Sequence, residues 1–432
     1  MKTESKPAEP RHQSALTCLL WLCRISVGAA FVLSGWSKAI DPWGFIYKIE
    51  EYLTVWQTGM PRELILCGAV TLSIVEFVTG ISLLCGMLRR AALWSAAAMM
   101  AFMLPLTVYI AIADPVADCG CFGDFLILSN TATLVKNIFI TAAIIVMFCI
   151  GNRRGICLFR PAVQWIALTL SGVYALSLAV YGYNVQPLLD FRPYPTGTDL
   201  AAGLQLADSG DEADDMLFVY SKDGIEQSFT TDSLPDSSWT FVRREESAGI
   251  PAVQTTGSFG IYDSDGEDLS RDLITDEGTL MLVVVADPGV HYLSRARFVN
   301  EVALTVKADG GRIIGLVGAP WQVVEQWADL TLPDFDVYSA DDTELKSLVR
   351  GDAALVLLHD GRIIWKRTVG SLDADFTSAH SNLDSYLTMP APDNGTLFSR
   401  LTIIYLLLML ATAALNFFRR RQAPLSKLEV ES

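Results

Sequence analysis

The chain has 432 residues, 51% of them hydrophobic, with a mean hydropathy of +0.35 and a formal net charge of −16. A single soluble domain does not usually combine so much apolar surface with so much charge, so the apolar residues must lie in local runs. The acidic residues gather between about 190 and 395, which argues against nucleic acid as a partner.

A membrane-spanning helix needs about 20 mostly apolar residues. Such runs fall at 15–37, 64–88, 92–113, 131–150, 162–183 and 398–418. A signal peptide competes for the first run, because Lys2, Lys6 and Arg11 precede it. Its length, Arg24 within it, and its ending in Ser34-Gly35-Trp36-Ser37-Lys38 in place of a small-x-small cleavage site favour a retained helix. Basic clusters occur at every second connection: Lys2/Lys6/Arg11, Arg89-Arg90, Arg153-Arg154 with Arg160, and Arg419-Arg420-Arg421. The positive-inside rule then places both termini in the cytoplasm, with the 114–130 loop and the 190–395 segment outside. Lys38 and Lys48 fall on the outer side against this rule and are offset by Asp41, Glu50 and Glu51.

The first four runs, joined by short connections, predict an up-down four-helix bundle over 1–150. Between runs one and two, Asp41–Leu53 interleaves aromatics with charges and predicts a short helix at the outer headgroups. Arg24 in run one and Glu76 in run two are charges inside apolar runs and are functional candidates by default. Antiparallel crossing puts them at similar depth, where they form either a buried pair fixing helix packing or a polar path toward a quinone. All eight cysteines (18, 23, 67, 85, 119, 121, 149 and 157) lie in the first 160 residues. Only Cys119, Cys121 and Cys67 are expected in the outer half of the membrane. Asp118-Cys119-Gly120-Cys121-Phe122-Gly123-Asp124 places two thiols one residue apart; their ring is small and strained, which suits exchange better than stapling. Asp118 and Asp124 are expected to raise the thiol pKa. A disulfide that only pins a loop is the competing reading, and without histidines at ligand spacing no metal site is expected.

A basic turn and fifth helix occupy 151–189. From 190 to 277 the pattern is β-rich, with Met216–Tyr220, a Lys222-Asp223-Gly224 turn and Glu226–Thr230 reading as a hairpin, and an acidic stretch over Asp208–Asp215. From 278 strand and helix alternate: a strand at 280–285, helix 291–307, strand 312–317, helix 321–329, strand 335–338, helix 342–348, and closing strands 354–358 and 362–365. This order predicts a mixed sheet flanked by helices over 278–395, followed by the sixth helix and basic tail over 396–432.

Arg24-Ile25-Ser26-Val27-Gly28 through Phe31, Ser34–Lys38 with Asp41-Pro42, Glu76 with Gly80 and Leu84-Cys85-Gly86, and Cys119-Gly120-Cys121-Phe122-Gly123 occur in an order that resembles the DoxX-like membrane proteins, particularly the MauE-type branch associated with methylamine utilisation. The resemblance covers about a third of the chain. It implies a four-helix bundle of a bacterial inner membrane that assists disulfide formation or maturation of an exported protein, or passes electrons to quinone. Segment 278–370 resembles a thioredoxin-type fold, with Leu355–Leu358, His359-Asp360-Gly361 and Val369-Gly370 as its closing elements. Asp287-Pro288-Gly289-Val290-His291-Tyr292 stands where that fold carries its Cys-x-x-Cys. With no cysteine there, the segment is left with binding or positioning a partner, and His291 reads as a surface residue.

The sequence therefore predicts an α-helical membrane protein with an inserted thioredoxin-like α/β domain. Its expected function is thiol–disulfide or quinone-linked redox chemistry through Cys119 and Cys121, with Cys67 as a third, resolving thiol and an extracytoplasmic protein as client. The alternative is a non-enzymatic assembly factor whose bundle anchors a docking platform.

Overall fold

The computed structural model describes residues 10–150, 159–208, 216–222, 225–229, 240–246, 259–275, 277–289, 295–372, 376, 382–389 and 393–422. Lys2, Lys6, Cys157, Arg153-Arg154, most of the acidic stretch, the 223–224 turn and His291 lie outside them. The chain divides into two compact units, one of 1–183, 187–189 and 393–432, the other of 184–186 and 190–392.

The first unit is helical: α1 (Pro10–Ile40), α2 (Pro42–Val55), α3 (Arg62–Cys85), α4 (Arg89–Ala113), α5 (Asn130–Ile150), α6 (Pro161–Asn184) and, from the end of the chain, Asn394–Gln422. Among the described residues six helices are long and apolar enough to cross a membrane, at 16–40, 62–85, 89–113, 130–149, 161–184 and 394–416. This is a multi-pass membrane protein. The six runs read from the sequence are these six helices, and the segment after the first run is the helix α2.

The closest helix pair is α1 with α3, and its cause is small residues. A Cβ on Gly35 would sit 2.6 Å from the Ser73 carbonyl, and one on Gly80 would sit 2.5 Å from the Val32 amide. Only glycine lets the two backbones approach this far. Arg24 uses the approach: its Nε donates to the Leu83 carbonyl at 2.7 Å and its Nη2 to the Leu84 carbonyl at 3.0 Å. Those carbonyls belong to the last turn of α3, which ends at Gly86 with φ +70. Helix C-terminal carbonyls lack intrahelical donors and attract cations. The expected Arg24–Glu76 pair is therefore not made. Glu76 lies seven to eight residues earlier in α3, about 10–12 Å along its axis.

The second unit opens with α7 (Leu200–Asp208) and an antiparallel three-stranded sheet, in order β2-β1-β3, of β1 (Met216–Lys222), β2 (Ile225–Phe229) and β3 (Thr240–Glu246). The hairpin expected from sequence is β1–β2. A six-stranded mixed sheet follows, in order β4-β7-β6-β5-β8-β9, from β4 (Ile261–Tyr262), β5 (Thr279–Val285), β6 (Arg312–Val317), β7 (Asp336–Ala340), β8 (Ala353–His359) and β9 (Arg362–Thr368). The β5-β6 and β6-β7 pairs are parallel, whereas β5-β8 and β8-β9 are antiparallel.

The central strand β5 is apolar on both faces, as a strand covered on both sides must be. Met281, Val283 and Val285 face a core completed by Val299, Val302 and Val306 of α8 (Ala296–Ala308) and by Trp327 of α9 (Trp321–Thr331). Leu280, Leu282 and Val284 face Leu200 and Leu204 of α7 together with Leu345 and Leu348 of α10 (Asp342–Leu348).

At the start of this unit Asp190, itself half-buried, is a hub for the buried cations Arg192 and Lys366. Its carboxylate accepts from Arg192 Nε at 2.6 Å, Arg192 Nη2 at 2.8 Å and Lys366 Nζ at 2.8 Å. Lys366 Nζ also donates to the carbonyls of Tyr194 and Leu348. Gln186 bonds the Arg350 backbone and Thr368. The network fastens the 184–194 segment to the sheet.

Candidate functional site

The α1–α3 contact that the glycines permit brings three polar side chains together. Ser34 and Lys38 lie one turn apart on α1, so they share a face. Lys38 Nζ donates to Glu76 Oε1 at 2.8 Å, to Oε2 at 2.9 Å and to Ser34 Oγ at 3.2 Å. Ser34 Oγ has two acceptors for its one proton, Glu76 Oε2 at 2.8 Å and the Cys121 carbonyl at 2.7 Å. The Lys38 and Glu76 side chains are 3% and 8% exposed, so each charge relies on the other and on Ser34. Sequence reading took Lys38 as a loop charge; its register against Glu76 is set by the glycines.

The Cys121 carbonyl links this pair to the loop between α4 and α5. Asn130, at the start of α5, ties the loop down by donating to Asp114 at 2.7 Å and to the Val116 carbonyl at 2.8 Å. Asp118 accepts from Lys48 of α2 at 2.9 Å and from the Gly120 amide at 2.7 Å. Gly120 has φ +69, and a Cβ there would meet Lys48 Cγ at 2.6 Å, so glycine is needed on both counts. The turn sets Cys119 Sγ 3.2 Å from Cys121 Sγ, two free thiols in contact. Tyr52 of α2 donates to the Cys119 carbonyl at 3.3 Å, and Lys136 of α5 sits 4.3 Å over the Phe122 ring.

The two thiols are held in unlike states. The hydrogen bond from Cys119 lowers the Cys121 pKa to about 6 despite burial; Lys136 and Lys38 act in the same sense and Glu76 opposes them. Cys119 is pushed the other way, because it donates that hydrogen bond and is itself buried. The expectation that Asp118 and Asp124 raise both thiols does not hold. Asp118 spends its charge on Lys48, whose own pKa burial would lower but whose hydrogen bonds to Asp118 and Glu51 raise it.

A cavity of about 570 Å³ opens against the thiols. Lys38, Glu76, Cys119 and Cys121 form its polar part, and Phe45, Leu72, Met99, Phe102 and Leu106 are among its apolar walls. Its size is that of a small-molecule site. Cys67 does not join it: Gly68 lines the cavity, whereas Cys67 is exposed elsewhere on α3. Arg24 is likewise absent from its walls.

The second unit carries no thiol. Asp287 follows β5 where a Cys-x-x-Cys was sought, and the Asp352 carbonyl, just before β8, accepts from the Ala286 amide at 3.1 Å.

Residues 16–150 match the family model described as methylamine utilisation protein MauE. Residues 215–248, which include the three-stranded sheet, match a domain of unknown function (DUF8463). No curated protein and no solved structure matches the chain. The part that carries Ser34, Lys38, Glu76, Cys119 and Cys121 is a MauE-like membrane region.

Proposed function

We propose that the MauE-like region is a membrane thiol–disulfide exchange site serving the maturation of an exported protein, with Cys121 as the exchanging thiol and Cys119 as its partner. The observation that carries this reading is the contact of the two sulfurs at 3.2 Å beside an open cavity, with Cys121 favoured as the thiolate. The thiolate is the attacking species in exchange. Cys121 is also the more accessible of the two, Cys119 being 6% exposed.

In the reducing direction the Cys121 thiolate attacks one sulfur of a client disulfide. A Cys121–client bond forms, the client S–S bond breaks, and the departing sulfur takes a proton. Cys119, after losing its proton, then attacks Cys121 sulfur and releases the second client thiol. Two electrons and two protons have passed to the client, and the pair is left as a disulfide. Run in reverse, the same steps oxidise a client dithiol and leave the pair reduced.

A two-electron acceptor is then needed to restore the disulfide. The cavity fits a lipid-soluble quinone, because its apolar walls suit ring and tail. Such a group, when bound, takes up two electrons and two protons.

Basic residues at alternate connections support placing the thiol loop and the α/β unit on the extracytoplasmic face of a bacterial inner membrane, with both termini cytoplasmic. There the α/β unit, a mixed sheet flanked by helices with no cysteine, serves to hold the client.

The test is a trap in cells. Full-length Cys119→Ser, which keeps the attacking thiol and loses the resolving one, should accumulate a reductant-sensitive adduct at Cys121 that the Cys119→Ser/Cys121→Ser protein lacks. Serine variants that form no adduct and keep full function leave the docking-platform reading.

A further inference from the structure

Lys38 and Glu76 are buried charges that the exchange steps above leave without a role in thiol chemistry. Three observations tie them to Cys121. Ser34 Oγ lies within hydrogen-bond distance of both Glu76 and the Cys121 backbone. Lys38 is fixed by two bonds to Glu76 and one to Ser34, so its ammonium cannot swing away. Lys38, Glu76 and Cys121 line one cavity.

Charge is also unbalanced there. Facing Cys121 are Lys38 of α1, Glu76 of α3 and Lys136 of α5. Lys48 of α2 is committed to Asp118 and Glu51, Asp124 lies three residues on in the exposed part of the loop, and Tyr52 is turned to the Cys119 carbonyl. Two lysines, Lys38 buried and Lys136 half-buried, therefore meet one carboxylate around the sulfur. A thiolate supplies the missing anion.

We propose that Lys38 and Glu76 are the positioning pair of the thiol site: Lys38 adds, beside Lys136 and the Cys119 hydrogen bond, a fixed positive charge that favours ionised Cys121, and Glu76 holds Lys38 in place while tempering that charge. Ser34 completes the device: its oxygen accepts from Lys38, and its one proton goes to either the Glu76 carboxylate or the Cys121 carbonyl. This deepens the exchange reading and rests on Cys121 being the reacting thiol.

The experiment is the pH profile of Cys121 alkylation by iodoacetamide, read by peptide mass spectrometry on the full-length protein in lipid nanodiscs. Lys38→Met should move the midpoint up by about one pH unit and slow alkylation about tenfold below the midpoint, because only the thiolate reacts. Lys38→Arg should restore the wild-type profile. Glu76→Gln should move the midpoint down. Opposite shifts for the two positions distinguish a charge effect from loosened packing, which would move both the same way. Shifts of the same sign, or none, overturn the proposal. If Lys38→Met fails to insert, Lys38→Met/Glu76→Gln removes both charges together; Lys38 outweighs Glu76, so its midpoint should still rise, and an unchanged midpoint overturns the proposal. Alkylation needs no client, so this result is independent of the adduct trap.

Discussion

Each unit of the protein buries an ion pair, and the two pairs have different surroundings. Asp190 in the α/β unit accepts from Arg192 two residues on and from Lys366 of β9, and Lys366 also donates to two backbone carbonyls, so the group ties together chain segments that must stay together. Glu76 in the helical unit is held as tightly by Lys38, but the pair borders an open cavity, and Ser34 beside it reaches the backbone of a cysteine. Burial of charge is common to both. What separates a fastening from a candidate site is the presence of a reactive group and of room for a second molecule.

The comparison breaks first at Glu76. Glu76→Ala leaves the buried Lys38 ammonium without its carboxylate, and breaking a buried pair costs about 3–5 kcal/mol even in soluble proteins. The inserted level should fall sharply and recover in part when Lys38→Met is added. Adding Arg24→Ala should give no recovery, since Arg24 bonds the end of α3. Quantitative membrane-fraction blotting of the singles and doubles measures this, and recovery with Arg24→Ala in place of Lys38→Met would reverse the assignment.

Asp190→Ala is the matched change in the other unit. Its cost should be about 3 kcal/mol, at the low end of the range for a broken buried pair, because Lys366 can shed its proton. Limited trypsinolysis of the full-length protein should show earlier cleavage within 190–392 and leave the insertion level unchanged.

A smaller effect sharpens the packing side. Gly35→Ala pushes a methyl into the α3 backbone and should destabilise the bundle by about 1–3 kcal/mol. Gly172→Ala meets nothing nearer than Ile74 Cγ2 at 4.0 Å and should be neutral or stabilising. Thermal aggregation of the two purified variants decides between them.

The last effect is one of pH. Burial, with Arg192 and Arg350 nearby, lowers Lys366 to about 7 despite Asp190. Above that value the unfolded chain still binds the proton that folded Lys366 has lost. Stability of the α/β unit should therefore rise with pH from about 7 toward 10.5, by up to about 1.4 kcal/mol per pH unit from this group. Proteolytic resistance measured from pH 7 to 9 should increase, and Lys366→Met should flatten the rise.

The six spanning helices were legible because a run of 20 apolar residues has few other meanings, and β5, β6 and β8 were legible as short apolar runs bounded by turns. The short strands β3 and β4 were missed. Thr240–Glu246 is mostly polar, and Ile261–Tyr262 is two residues long. The thiols could be read from Cys119-Gly120-Cys121, but the partner of Glu76 could not. Depth along two helices suggested Arg24, whereas the pairing depends on register, and register is set by which small residues face each other. The available signal was Gly28 and Gly35 two turns apart on α1, with Ser34 and Lys38 beside them.

Arg24 and Lys38 hold α1 to α3 at two places fourteen residues apart, about 21 Å along the helix. A rod clamped at two distant points can neither slide nor roll against its neighbour, so this helix pair behaves as a strut. Compliance during a redox cycle is then confined to what the strut carries, the 114–129 loop and α2, joined to each other by Lys48–Asp118 and Tyr52. In mechanical terms, on the exchange reading proposed above, making and breaking a sulfur–sulfur bond would be a hinge movement of a short flap over the α1–α3 frame.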